Sequence, residues 1–126
     1  MKIKGTVSAF IGLFSDIKTT FIGQNFYEIV LGTASNTAEF RKVGGGTALA
    51  SGAMTFQSTK YLPFWLSWEG HTFSLGTGED LGQNVIFTYK DTANQMAINH
   101  LAFSSSNSNS NRFFYYDGKS HSLYKL

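Results

Sequence analysis

The chain is 126 residues long, sets 10 Lys and Arg against 8 Asp and Glu for a net charge of +2, and contains no cysteine. That length supports a buried core without staples. The lack of thiols excludes disulfides and thiolate metal sites, and so small and scattered a charge excludes a nucleic-acid footprint. With 12 Phe, 6 Tyr, 2 Trp and 13 Gly against 1 Pro, the composition suits many short strands joined by tight turns. One all-β domain over 1–126 is expected.

Lys2 to Phe14 alternates loosely and reads as one or two strands. Its apolar part, Ala9 to Phe14, is shorter than the roughly 7–15 residues of a signal-peptide core and is followed at once by Asp16 and Lys18. It is therefore read as a strand and no signal peptide is assigned; a cytoplasmic or non-classically secreted protein is the expectation. No run approaches the roughly 18 apolar residues of a membrane span, and no membrane insertion is expected. Ser15-Asp16 is a turn, Lys18 to Phe21 a short run, and Gly23-Gln24-Asn25 another turn. Phe26 to Gly32 is apolar at nearly every position, as in a strand covered on both faces. Thr33 to Thr37 is a polar loop, and Ala38 to Val43 a strand hairpin-paired with the one before. Gly44-Gly45-Gly46 interrupts the chain, and Thr47 to Thr59 carries a further, looser strand.

Tyr61-Leu62-Pro63 leads into Phe64-Trp65-Leu66-Ser67-Trp68, which holds both tryptophans, turns at Glu69-Gly70 and returns through Thr72 to Gly76-Thr77-Gly78. Aromatic residues on both arms and Gly at the reversal make this a β-hairpin. Alternation places Trp65 opposite Phe64, Leu66 and Trp68. Trp68 is expected in the interior and Trp65 against a partner strand or subunit, so the hairpin reads as a structural spine. Glu79 to Asn84 is a turn, Val85 to Tyr89 a strand, Lys90 to Asn94 a loop, and Met96 to Phe103 a strand. Ser104 to Asn111 is a Ser/Asn run that can bury nothing and reads as a loop. Arg112 to Tyr116 is a strand, Asp117-Gly118 a turn, and Ser120 to Leu126 a closing strand. About nine or ten antiparallel strands at regular spacing favour a β-sandwich.

These residues resemble a known family. Tyr27 to Gly32 with Asn36-Thr37 and Phe40-Arg41-Lys42, the double-Trp strand followed by Ser74-Leu75-Gly76-Thr77-Gly78-Glu79, Val85 to Asp91, and Ile98 to Ser104 are similar to motifs of the farnesoic acid O-methyltransferase-like (FAMeT) domain. Val7 to Leu13 lies where that family has its opening strand. The resemblance spans roughly residues 5 to 116. Thr33-Ala34-Ser35 lacks the family's tryptophan, Val85 to Asp91 lacks another, and the Ser/Asn run replaces a Gly-rich loop. The resemblance implies a compact β domain that binds a ligand, and a small lectin is the role placed with it. The family name is not taken as an activity. A methyltransferase needs a Gly-rich turn between a strand and a helix to hold S-adenosylmethionine, whereas Gly44-Gly45-Gly46 and Gly76-Thr77-Gly78 lie between strands.

Residue chemistry points the same way. His71, His100 and His121 have no zinc spacing, and no serine sits in a nucleophile elbow. No metal or other cofactor is expected. The adjacent Glu79-Asp80 pair has the chemistry for Ca²⁺, but a solvated turn is the preferred reading. Sugar hydroxyls call for planar amide, carboxylate or guanidinium groups beside an aromatic face. The candidates near turns are Asn36, Arg41, Glu69, His71, Glu79, Asp80 and Asn84, with Tyr116 and Asp117 at the last turn. The expectation is a non-enzymatic lectin or hemagglutinin that binds glycans or glycoproteins and gains avidity as a homo-oligomer. The alternatives are a self-associating adhesive module and a carrier of a small apolar ligand.

Overall fold

Period-2 alternation decides which side chains each strand turns inward, and glycine or asparagine at the reversals lets short strands stack as two sheets. The computed structural model describes residues 1–5, 8–16, 25–44 and 46–105, together with the backbone of 112–114. Its strands are β1 Lys2–Lys4, β2 Ala9–Phe14, β3 Asn25–Leu31, β4 Thr37–Val43, β5 Ala50–Ala53, β6 Leu62–Glu69, β7 Thr72–Thr77, β8 Val85–Lys90, β9 His100–Ser105 and β10 Arg112–Phe114. One sheet has the order β10-β1-β6-β7-β8 and the other β5-β4-β3-β2-β9, with antiparallel pairing throughout. The protein is an antiparallel β-sandwich.

β3 is the central strand of its sheet, and the continuous apolar run that marked it is buried on both sides. Tyr27, Ile29 and Leu31 face the other sheet, while Phe26, Glu28 and Val30 are buried on the opposite face. The interior is aromatic. Tyr27 and Phe73 have ring centroids 4.4 Å apart, Phe40 and Phe73 4.7 Å, and Phe40 and Tyr89 4.9 Å. On one flank the two sheets meet where β5 approaches β8. An added Cβ on Gly52 would lie 2.3 Å from the Ile86 carbonyl oxygen, so the small residues of Ala50–Ala53 permit this closure.

Both tryptophans are structural. Trp68 pairs across the hairpin with Phe73 and packs against the core. Trp65 lies on the outer face opposite Gly76, buried to 2% exposure, because Gly76 has no side chain in the way. The hairpin reverses one residue later than the sequence suggests: Gly70 and His71 form the two-residue loop, both at positive φ (54° and 58°). That pair of left-handed residues is the type I′ geometry that suits strand twist, and His replaces the usual second Gly.

Two expected strands are shorter than read. From Thr47 to Thr59 only Ala50–Ala53 pairs, since Met54 N–H donates to the Asn36 carbonyl and Gly5 N–H to that of Gln57 as the chain crosses between sheets. The strand expected from Met96 begins instead at His100. The main-chain groups of Met96 are spent on side chains, as described below, and cannot join a ladder. Ser104 and Ser105 belong to β9, not to the Ser/Asn loop. The readings for Lys18 to Gln24, for 106–111, and for Tyr115 onward, including candidates Tyr116 and Asp117, lie outside the described residues.

Candidate functional site

Polar side chains gather at two opposite ends of the sandwich. The packing of Tyr27, near the start of β3, against Phe73 and His71, near the start of β7, puts the starts of these strands at one end. The far ends of β3 and β7 therefore share the other.

At the first end, the inward alternation of three strands brings polar groups inside. Tyr27 precedes Ile29 and Leu31 on β3, Lys42 follows Ala38 and Phe40 on β4, and Asp91 follows Phe87 and Tyr89 on β8. The Tyr27 hydroxyl donates to Asp91 Oδ2 at 2.7 Å, and Lys42 Nζ reaches Asp91 Oδ1 at 2.8 Å. Lys42 also donates to the Ala93 carbonyl. The segment 91–96 is fastened further by Asp91 N–H to the His71 carbonyl (2.9 Å), Gln95 Nε2 to the Asp91 carbonyl (2.8 Å), and Met96 N–H to the Tyr27 hydroxyl (2.9 Å). His71 Nε2 pairs with the Met96 carbonyl at 3.0 Å, which requires the proton on Nε2. Burial and the hydrogen bond to Asp91 push the Tyr27 hydroxyl up to about 12. Burial alone would raise the Asp91 carboxyl, but the hydrogen bonds from Lys42, Tyr27 and Ala93 N–H outweigh it and hold Asp91 below its ordinary value. The Tyr27 hydroxyl, the Lys42 ammonium, the Asp91 carboxylate and His71 Nε2 are each spent on another part of the chain, so together they work as a fastening at this end.

The second end carries two turns. In the first, Thr33 N–H donates to the Thr37 carbonyl (2.9 Å), Asn36 N–H donates to the Thr33 carbonyl (2.8 Å), and the two threonine hydroxyls meet at 2.7 Å. Asn36 adopts φ 57° there, with an exposed side chain. In the second, residues 78–84, Gly78 N–H donates to the Pro63 carbonyl, Gln83 N–H to that of Asp80, and Thr77 N–H to that of Asn84 (2.9, 3.2 and 3.1 Å). Trp65 Nε1–H donates to the Gln83 carbonyl at 2.9 Å. Gly78, Gly82 and Asn84 take positive φ, where Gly and Asn are tolerated best. Glu79, Asp80 and Gln83 are exposed around this fixed backbone, and Asn84, also exposed, folds its Nδ2 back to donate to the Thr77 carbonyl at 3.5 Å. Glu79 lies 3.6 Å from Lys2 in a well-exposed ion pair.

The sequence candidates therefore separate. Asn36, Glu79, Asp80 and Asn84 lie at the second end. Glu69 and His71 lie at the first, and the His71 ring is occupied by Met96. Arg41 projects from the outer face of β4, its guanidinium on Glu39 (Nη2 at 2.5 Å, Nε at 3.0 Å) and 3.5 Å from Glu28. Among the described residues no three His, Asp or Glu side chains converge as metal ligands. Sequence reasoning overlooked the linked trio Tyr27, Lys42 and Asp91. Its signal was available: extending the inward alternation of Phe87-Tyr89 and Ala38-Phe40 by two residues places a carboxylate and an ammonium in the same buried layer.

Two stacked antiparallel sheets with an aromatic filling, one fastened end and one end of solvent-facing turns define a β-sandwich. The sequence model of the family described as farnesoic acid O-methyltransferase matches residues 1–119. The chain belongs to that family. No curated protein and no solved structure matches it.

Proposed function

We propose that this protein is a non-enzymatic, lectin-like carbohydrate-binding protein that engages glycans through the turns around Asn36 and 78–84. The observation that carries the reading is the exposure of Asn36, Glu79, Asp80 and Asn84 on turns whose backbones are already hydrogen-bonded in place. Carboxylates and amides match the paired acceptors and donors of vicinal sugar hydroxyls. Turns ordered before binding also lose little conformational entropy on association.

A non-enzymatic role is supported by the uses of the glycines that a cofactor-binding reading would claim. Gly76 accommodates Trp65, and Gly78 turns the chain at φ 93°. A single shallow turn site binds sugar weakly, so useful avidity calls for several copies held together. The rings of Tyr27, Phe40, Phe73 and Tyr89 pack against one another between the sheets, which favours surface binding over carriage of an apolar molecule in the interior.

The test is a glycan array probed with the whole chain, followed by hemagglutination in the presence of the free sugar identified. A defined glycan subset, competed by free sugar and weakened by Asp80→Ala, is expected. No glycan signal at high protein concentration would sink the proposal, and methyl transfer from S-adenosylmethionine to a carboxylic acid would overturn its non-enzymatic part.

A further inference from the structure

Trp65 links the hairpin spine to the turn that carries most of the proposed contacts. Its indole is 2% exposed, although it sits on the outer face of its sheet. Two features hold it there. Gly76 stands directly opposite on β7, and an added Cβ at that position would come within 2.3 Å of Cζ2, 2.4 Å of Cε2 and 2.6 Å of Nε1 of the ring. The Nε1–H donates to the main-chain carbonyl of Gln83, 18 residues away in sequence. An indole N–H sealed from solvent must find a partner, and the one it takes lies between Asp80 and Asn84 in the turn. The rest of that turn makes main-chain bonds at its ends, Gly78 to Pro63 and Thr77 to Asn84, and one internal bond, Gln83 to Asp80. The Trp65 bond ties to the sheet the residue that precedes the Asn84 end bond and whose own N–H holds the Asp80 carbonyl across the turn.

We infer that Trp65 is a positioning residue for ligand binding. Seated in the notch left by Gly76, it fixes the Gln83 carbonyl and thereby the spacing of the Glu79, Asp80 and Asn84 side chains. The ligand part rests on the lectin-like reading above. Trp65 itself touches no sugar; it acts through the turn. The missing side chain at Gly76 and the indole bond then form one device, and disturbing either half loosens the same turn.

The test uses Trp65→Phe, which keeps an aromatic ring and removes the N–H, with Gly76→Ala, which pushes the ring out of its notch, and Trp68→Phe, a half-buried residue on the core-facing side of the same strand, as the control. Two quantities are read on the whole chain: hydrogen–deuterium exchange of peptides covering 78–84, and affinity for the sugar picked out by the array. Trp65→Phe should speed exchange in 78–84 about fivefold, the loss of one net hydrogen bond, and weaken sugar binding by a similar factor. Trp68→Phe should lower the melting temperature with no selective effect on that turn. In the wild-type protein, where no variant has to fold, the Trp65 indole N–H should itself exchange slowly. Unchanged exchange in 78–84 overturns the inference, as does an equal rise in Trp68→Phe, or faster exchange with unaltered sugar affinity. If the wild-type protein binds no glycan, the lectin proposal fails by itself, and the exchange measurements still decide whether Trp65 sets the turn.

Discussion

Removing the Asp91 carboxylate should be among the most damaging single changes available outside the aromatic core. Asp91 is 2% exposed and receives the Tyr27 hydroxyl at 2.7 Å and the Lys42 ammonium at 2.8 Å. Truncating one member of a buried ion pair generally costs about 3–5 kcal/mol, because its partner is left charged and desolvated. Here the Lys42 side chain keeps 22% exposure and can turn toward water. Asp91→Ala should therefore fall lower, at about 2–3 kcal/mol. For a chain of this length that corresponds to a melting temperature roughly 6–15 °C below wild type. Asp91→Asn, which keeps an acceptor for Tyr27, should lose about half as much. Adding Lys42→Met to Asp91→Ala should recover part of the loss, since no unpaired charge then remains. Calorimetry at neutral pH on these three variants and on Lys42→Met alone completes the cycle. An Asp91→Ala melting temperature within about 2 °C of wild type would refute the fastening role, as would a strictly additive double variant.

The same trio sets the pH limits of stability. The folded carboxyl of Asp91 titrates below its unfolded value of 3.8, so its contribution is present above that pH and is lost as pH falls through the folded value. The folded hydroxyl of Tyr27 is raised from 10.0 to about 12, so its contribution is present below pH 10 and is lost as pH climbs toward 12. Thermal melts of Asp91→Asn and Tyr27→Phe against wild type should converge on the acid and alkaline sides respectively. At the seam between sheets, Gly52→Ala would drive a Cβ to 2.3 Å from the Ile86 carbonyl oxygen, and about 1–3 kcal/mol should be lost in denaturant titration. At the hairpin loop, His71→Gly relieves the φ of 58° but forfeits the bond to Met96, whereas His71→Ala forfeits the bond and keeps the strain. Equilibrium unfolding should therefore rank His71→Ala as the less stable of the two.

The strands with strong alternation could be read from the sequence almost to their ends, because burial on one or both faces is what selects their residues. Phe26 to Gly32 and the double-Trp hairpin are the clearest cases. Met96 to Phe103 misled for a specific reason. Its apolar composition suits a strand, but the hydrogen-bonding capacity of Met96 is claimed by Tyr27 and His71, residues far away in sequence. The fastened end was hidden for the same cause: Lys42 looks like an ordinary strand charge and Asp91 like an ordinary loop charge until the two sheets are stacked. His71 carried a different disguise, since a histidine in a left-handed turn position breaks the usual Asn-Gly rule. Of the candidate binding groups, Asn36, Glu79, Asp80 and Asn84 could be gathered only once β3 and β7 were known to run in the same direction. Glu69, Arg41 and His71 have the right chemistry and lie elsewhere.

A backbone amide NMR titration with the array-selected sugar decides which end of the sandwich meets a ligand. Shifts concentrated at 33–37 and 78–84, with the Trp65 indole resonance moving alongside, are the predicted result. Shifts concentrated at 69–71 and 91–96 would contradict the account, because they would place the ligand on the end assigned here to fastening.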